Sequence, residues 1–312
     1  MRYLVTGGAG FIGSNTVDEL VRRGHGVVVL DDLSTGKAEN LAPVKSKIEF
    51  ARESITNLDK VRDACRGVDC VIHLAAQVSV PRSIQDPIET NLINVNGTLN
   101  VLVAARDAHV KRVVFASSCA VYGKTAVLPI DENVSLAPIS PYGISKQIGE
   151  AYGHVFQQLY GVEFVALRYF NVFGPRQDPG SAYSGVLSLF SAAVLNGTQP
   201  VVYGDGLQSR DFVFVGNVVQ AILLAAEEKK AAGHAFNIGT GNRYTLNQTL
   251  SLLEKITGRP AKAKYAESRE GDIRDSQANI ALAKNLLGYD PHIGFEEGLK
   301  QTWDWFAGNT SA

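Results

Sequence analysis

Residues 2–5 read as a short apolar strand that runs into Thr6 and glycines at 7, 8, 10 and 13. A helix follows, with Ile12, Val17, Leu20 and Val21 mostly on one face and Gly24 where a helix C-terminus favours glycine. Val27–Leu30 is apolar throughout, the pattern of a parallel strand covered on both faces. A polar loop, Asp31 to Asn40, comes next. The alternation then repeats, with a strand at Ile48–Ala51, a helix at Leu58–Cys65, a strand at Cys70–Leu74 and a long helix over Thr90–Asp107. Another strand, Arg112–Ala116, precedes a helix through Tyr142 that ends before Gly161, and Glu163–Leu167 is a further strand. Strand–helix alternation of this kind predicts an α/β fold built on a doubly wound parallel sheet.

After Arg168 the pattern changes. Pro175, Pro179, Gly180 and Gly185 mark loops before a helix at about Val186–Leu195, and residues 201–215 look like short strands. Helices at Val218–Glu228, Leu246–Thr257 and Ile280–Leu287 and a strand at Ala235–Ile238 complete the reading. It predicts a first domain over 1–170 and a smaller mixed α/β lobe over 171–312, with segments after about 205 as candidates to rejoin the main sheet.

Composition narrows the classes. The 312 residues are 45% hydrophobic and 20% charged, as in an ordinary globular protein. A formal net charge of −1 gives no electrostatic case for nucleic acid or an anionic membrane, and no apolar run approaches a membrane span. Met1 leads straight into the first strand, which predicts no signal peptide. Cys65, Cys70 and Cys119 form no Cys-x-x-Cys pair, which fits a reducing cytoplasm. The six histidines make no His-x-x-x-His or Glu-x-x-His set, so no metal site is expected.

Two stretches carry candidate chemistry. Between a strand and a helix, Gly7, Gly10 and Gly13 let a backbone approach a pyrophosphate, which the helix N-terminus also attracts. Asp31 follows Gly13 by 18 residues, where a carboxylate accepts from the ribose hydroxyls of a dinucleotide. With Asp32 beside it and no arginine until Arg52, NAD is favoured over NADP. In the second stretch, Ser140 caps a helix, Pro141 suits its first position, and Tyr142 and Lys146 stand four residues apart on one face. A nearby ammonium lowers a phenol's pKa and makes it a usable base, so a depressed Tyr142 pKa is expected. Such a pair also occurs on ordinary surface helices.

With both stretches in order, the chain resembles the extended short-chain dehydrogenase/reductase family, the NAD-dependent nucleotide-sugar epimerases and dehydratases. The likeness rests on the spaced glycines, His73-Leu-Ala-Ala76, Asn94-Val-Asn-Gly-Thr98, Ala116-Ser-Ser-Cys-Ala-Val-Tyr-Gly123, Tyr142/Lys146, Arg168-Tyr-Phe-Asn171 and Arg210-Asp-Phe-Val213. It implies that domain 1–170 binds NAD and that the second lobe binds a UDP-sugar. It places the dinucleotide against Gly7, Gly10, Phe11, Ile12, Gly13, Asp31, Asp32, Ser34, Thr35 and Gly36. Ser54, Ile55, Leu74, Ala75, Ala76, Gln77, Asn94, Ser117 and Tyr169 extend that cleft, with Lys146 on the nicotinamide ribose. Where the family usually has an Asp for the adenine, this chain has Ser54, which can still accept a hydrogen bond. Ser118, Tyr142 and Lys146 would be the catalytic set, and the family's homodimer would pair the Thr90–Asp107 and Tyr142–Tyr160 helices.

A 4,6-dehydratase of this family carries an Asp-Glu pair directly after its catalytic Ser/Thr; here Cys119 and Ala120 stand there, which disfavours that reaction. A 4-epimerase needs only reversible oxidation at C4. The likeness is closer to UDP-hexose 4-epimerases, especially those acting on UDP-N-acetylglucosamine. It implies that Ser79, Ser118, Tyr142 and Asn171 meet the sugar and that Gly185, Val186 and Tyr203 meet the nucleotide. Arg210 and Arg269 would clamp the diphosphate, with Asp272 in the same pattern, and Ser276 would leave room over C2 for an N-acetyl group. A UDP-uronic acid 4-epimerase, an NAD-linked sugar dehydrogenase or reductase, and a non-catalytic sensor stay open at this point.

Overall fold

The computed structural model describes residues 1–178, 185–268 and 273–309. Its first half alternates strand and helix: β1 (Arg2–Thr6), α1 (Phe11–Arg22), β2 (Gly26–Leu30), β3 (Glu49–Ala51), α2 (Leu58–Cys65) and β4 (Cys70–His73). Then come α3 (Val80–Gln85), α4 (Pro87–Asn91), α5 (Gly97–Asp107), β5 (Arg112–Ser118), α6 (Pro141–Tyr160) and β6 (Glu163–Tyr169). The expected single helix over Thr90–Asp107 is α4 and α5 joined by a π turn, Leu92–Asn96. It starts earlier than expected because the Asp86 carboxylate caps Glu89 N at 2.9 Å and Pro87 suits the first position. The expected loop after Asp31 gives way to a 3₁₀ turn from Ala38.

The second half holds β7 (Asn171–Phe173), α7 (Val186–Leu195), β8 (Val201–Tyr203), β9 (Ser209–Arg210), β10 (Phe212–Phe214), α8 (Val215–Glu227) and β11 (Ala235–Ile238). It closes with β12 (Tyr244–Thr245), α9 (Leu246–Thr257), β13 (Lys264–Ala266), α10 (Ala281–Leu287) and α11 (Phe295–Asn309). The main sheet has seven strands in the order β11-β6-β5-β4-β1-β2-β3, every neighbour parallel. Ala235–Ile238 is thus a strand of the main sheet, although it comes late in the chain. Among the described residues no helix is long and apolar enough to cross a membrane, and no group of His, Cys, Asp and Glu could hold a metal.

Successive strand residues point to opposite faces, so each buried strand feeds two cores. Tyr3, Val5, Ile72 and Val114 join the core shared with α1 and α8; Leu4, Val28, Val71 and Val113 join the one under α2, α5 and α6. Helix α6 lies unusually close to the sheet: a Cβ on Gly153 would sit 2.2 Å from the Phe164 ring. That close seat brings the start of α6 to the C-terminal ends of β5 and β6.

The chain passes between the main sheet and the segments outside it at Phe170, between Phe214 and Val215, and after Ile238, and it returns again to α10, which packs on β11. The crossings lie side by side. Phe170 N donates to Ile238 O at 3.0 Å and Asn171 N to Asp211 O at 3.0 Å. The Asp211 carboxylate is fully buried and accepts from Thr240 N (2.8 Å), Thr240 Oγ1 (2.8 Å), Gly241 N (3.0 Å) and Ala278 N (3.0 Å).

Candidate active site

Strand order reverses between β1 and β4, and the loops that leave these strands part over a crevice, where parallel sheets place their ligands. The two loops touch: a Cβ on Gly7, which has φ of 70°, would lie 2.7 Å from Ala75 N. A Cβ on Gly13 would lie 2.0 Å from the Gly7 carbonyl oxygen. Helix α1 opens on Gly10 without a side-chain cap. Phe11 and Ile12 form the first turn, whose N–H groups have no intrahelical partner. By contrast, α2, α3, α4, α6 and α9 are capped by Asn57, Ser79, Asp86, Ser140 and Thr245.

Asp31 sits at the end of β2, 7% exposed, and accepts from Ala9 N (2.9 Å) and Leu33 N (2.8 Å). Burial raises its pKa, against the pull of those two N–H groups. Two bonds leave carboxylate lone pairs for hydroxyl donors. Asp32, Ser34 and Thr35 are exposed beside it, and Asp32 accepts from Ser34 N at 2.9 Å. Gly36 passes so close that a Cβ would be 2.9 Å from Asp31 Oδ1. Farther along, the Ser54 hydroxyl accepts from Thr56 Oγ1 at 3.0 Å, and Ile55 packs in the core. Leu74, Ala75 and Ala76 are half-buried on the β4 loop. Gln77 and Asn94 instead bond to each other: Gln77 N to Asn94 Oδ1 at 2.7 Å, and Asn94 Nδ2 to Gln77 O at 2.9 Å and Ser145 Oγ at 3.0 Å. They brace the crevice wall against α6.

The uncapped helix start, the glycine cradle and the aspartate fit NAD. Tyr169 adds a fourth sign: its hydroxyl is buried without a hydrogen-bond partner, next to Tyr142.

At the other end of the crevice, β5 ends in Ser117 and Ser118. Ser118 caps the turn that follows, its Oγ accepting from Ala120 N at 3.2 Å. Tyr142 leads α6, and Ser118 is hydrogen-bonded to its side chain. The expectation of a depressed Tyr142 pKa does not hold in the protein alone: burial pushes the phenol up to about 12, outweighing the Ser118 bond. Lys146 does not offset that burial. It is 4% exposed, its ammonium donates to Ala116 O at 2.8 Å, and it lies 5.8 Å from the Tyr142 ring centroid. Burial pulls its own pKa down to about 7.

His73 is a residue to which the sequence reading gives no role. A histidine at the end of the apolar run Cys70-Val-Ile was the available signal. Thr98 Oγ1 donates to Asn94 O at 2.5 Å and so accepts from His73 Nε2 at 3.0 Å. Nδ1 is then the acceptor, taking Thr6 Oγ1 at 2.7 Å, which itself accepts from Ala75 N at 3.3 Å. Burial drives this imidazole down to about 3, so it is neutral throughout. The chain of bonds ties the glycine loop, the β4 loop and the π turn together.

On the lobe side, Asn171 opens β7 and Ser276 is 5% exposed, with Ser276 Oγ 3.5 Å from Asn171 Oδ1. Ser276 N donates to Ser209 O at 3.1 Å, which sets it beside Arg210. Arg210 Nη1 donates to Ser209 O and Arg274 O, both at 3.0 Å, and its charge reaches the Cys119 thiol. Gly185 and Val186 begin α7, again without a side-chain cap. Tyr203 ends β8, 36% exposed. Ser79 is not turned freely toward the lobe, since its Oγ accepts from Arg82 N at 3.0 Å as a helix cap. Arg269 and Asp272 lie outside the described residues.

Proteins that pair such a crevice with a serine at the end of the next strand and a Tyr-Lys pair on the helix after it form a class of NAD-dependent Rossmann enzymes, and this chain is of that class. It belongs to the NAD dependent epimerase/dehydratase family, whose model matches residues 3–239. The UDP-glucose 4-epimerase of Mycolicibacterium smegmatis is 40% identical, with 98% of each chain covered. A UDP-glucose 4-epimerase of Thermotoga maritima, solved with UDP-glucose, is 41% identical over 99% of this chain and 100% of that one, with a TM-score of 0.95. A UDP-N-acetylglucosamine 4-epimerase of Methanobrevibacter ruminantium M1, solved with UDP-N-acetylmuramic acid, is 38% identical over 99% and 98%, also with a TM-score of 0.95.

Proposed function

We propose that the protein is an NAD-dependent UDP-hexose 4-epimerase that interconverts UDP-GlcNAc with UDP-GalNAc and UDP-Glc with UDP-Gal. The observation that carries the acetylated pair is Ser276, a small side chain against Asn171. Where a tyrosine would fill that space, a serine leaves it to an N-acetyl group.

Bound NAD supplies a reversible hydride acceptor at C4. The chain's own groups handle the proton and the grip. Tyr142, through Ser118, takes the O4 proton as the C4–O bond becomes a carbonyl, and returns it after the keto sugar has turned over. Arg210 and the uncapped start of α7 suit the diphosphate. Dehydration at C5 and C6 finds no acid or base beside Ser118: burial holds the Cys119 thiol neutral, with a pKa pushed up to about 11, and Ala120 has nothing to donate from its side chain.

NMR product analysis over a panel of UDP-sugars, uronic acids included, tests this reading. Both pairs should equilibrate without net absorbance change from NADH. Ser276→Tyr should keep the plain hexoses and lose kcat/KM for the acetylated sugars by about 10- to 100-fold, the equivalent of about 1–3 kcal/mol of overpacking. A wild type that refuses acetylated sugars ends the pocket argument.

The family's homodimer is a second part of the proposal. Helices α3, α4 and α6, with the π turn after α4, pack together and leave Ile84, Ile88, Leu92, Ile144, Val155 and Leu159 exposed, an apolar load unusual for a free surface. Sedimentation at micromolar concentration should show a dimer, and Leu159→Glu, at a site 67% exposed, should shift it toward monomer. A wild-type monomer would remove the claim.

A further inference from the structure

We infer that Ser83 is a positioning residue for the reaction: from α3, its hydroxyl holds the main chain of Tyr142 and so sets where the phenol stands. The inference rests on the reading of Tyr142 as the group that moves the O4 proton.

The first turn of α6 leaves one donor over. Pro141, at the first helical position, has no N–H, and Gly143 N donates to the Ser140 cap at 3.1 Å. Between them, Tyr142 N has no acceptor within its own helix. It donates instead to Ser83 Oγ at 3.2 Å, across 59 positions of sequence. Ser83 is fully buried, and its own proton goes to Val80 O at 2.7 Å, so its lone pairs are left for Tyr142.

This contact is one side of a closed frame. Ser145 Oγ donates to Tyr142 O at 2.8 Å and accepts from Asn94 Nδ2 at 3.0 Å. Asn94 Oδ1 takes Gln77 N at 2.7 Å, and Gln77 Oε1 takes Ser79 N at close range. Ser79 then caps α3 by accepting from Arg82 N at 3.0 Å, one residue before Ser83. Tyr142 is thus gripped by both its N–H and its C=O. The next residue, Gly143, lies against the turn after Ser118, where a Cβ would stand 2.7 Å from Ala120 O. Without Ser83 the Tyr142 N–H must find another acceptor, and the residue that carries the phenol moves with it. A misplacement of about 1 Å is enough to lower a rate by about 100-fold. The bonds of Ser83 run to α3 and α6, whereas the glycine cradle and Arg210 stand on other elements. NAD and the UDP-sugar should therefore bind as before when the hydroxyl is lost.

Ser83→Val and Ser83→Thr share an outline and differ by the hydroxyl, so comparing them isolates the bond. Each is assayed beside wild type with whichever UDP-sugar wild type turns over, and bound NAD is measured after denaturation. Amide hydrogen exchange over residues 140–146, followed by mass spectrometry without sugar, reports the Tyr142 N–H directly. Ser83→Val should exchange faster there and lose about 10- to 100-fold in kcat, with KM and bound NAD within about twofold of wild type. Ser83→Thr should restore slow exchange and bring kcat to within about threefold of wild type. Equal kcat in the two variants overturns the inference, as does faster exchange with kcat unchanged. A valine variant that also loses NAD and raises KM has a merely structural defect, and that too overturns it. If neither branched residue folds, Ser83→Ala against wild type is read by the same outcomes, since it removes the hydroxyl without adding bulk. Tyr142→Phe, run alongside, separates this inference from the reading beneath it. Full activity in Tyr142→Phe sinks the assignment of the base, whereas an inactive Tyr142→Phe beside a fully active Ser83→Val sinks the role of Ser83 alone.

Discussion

Replacing Tyr142 by phenylalanine will lower kcat by about 100- to 10,000-fold, the span of a lost acid–base group. The variant will melt close to wild type. Phenylalanine keeps the ring at the head of α6, and the lost hydroxyl leaves Ser118 its bond from Ala120 N at 3.2 Å. Burial already disfavours the phenolate, as the rise to about 12 records, so the fold gains nothing from that charge. The change in stability should stay within about 1 kcal/mol. Ser118→Ala makes the contrast, because Ser118 also caps the turn over Cys119–Tyr122, and its loss mixes chemistry with folding. Steady-state kinetics beside a thermal melt separates the two. Full turnover by Tyr142→Phe would move the base elsewhere.

Gly13→Ala will release the cofactor and unfold the protein more readily, by about 2–4 kcal/mol, the upper range for overpacking. The new methyl would stand 2.0 Å from the Gly7 carbonyl oxygen and 2.8 Å from Gly8 Cα. Both are backbone atoms in a turn that Ala75 presses from the far side, so the relief has to come from moving α1 off the loop. Gly24→Ala is the matched control. Gly24 has φ of 78° with nothing within 4 Å of a Cβ, so that change should cost only the left-handed backbone term of about 1–2 kcal/mol. NAD released on denaturation and the melting temperature are the readouts. A Gly13→Ala protein that keeps its NAD and melts with Gly24→Ala contradicts the cradle.

The parallel sheet and the glycine loop were legible because each announces itself locally: a run such as Val27–Leu30 has no polar face, and the glycines stand between a strand and a helix. Helix α11 escapes the sequence reading although Leu299, Thr302, Trp303 and Phe306 are buried along it. Phe295, Leu299, Trp303 and Phe306 do recur at helical spacing, so a local signal for one buried face was available there. The six-residue α3 is set by the Ser79 cap and Pro81, too short to carry a period. Tyr142 and Lys146 were legible as a spacing, but not the state of either group. That state depends on burial, and the amine meets Ala116 O and the Phe115 ring only in the folded chain. Asp211 appears in the sequence as one letter of a motif, and its four hydrogen bonds reach residues 29 to 67 positions away.

Those bonds bear on how the sugar turns. A hinge needs a short segment that alone absorbs a rotation. Here several passages of the chain lie side by side, and the buried Asp211 carboxylate ties the loops at Thr240, Gly241 and Ala278 together, so bending one of them drags the others. On the function proposed above, the half-turn that exposes the other face of C4 then falls to the sugar itself rather than to a movement of these loops.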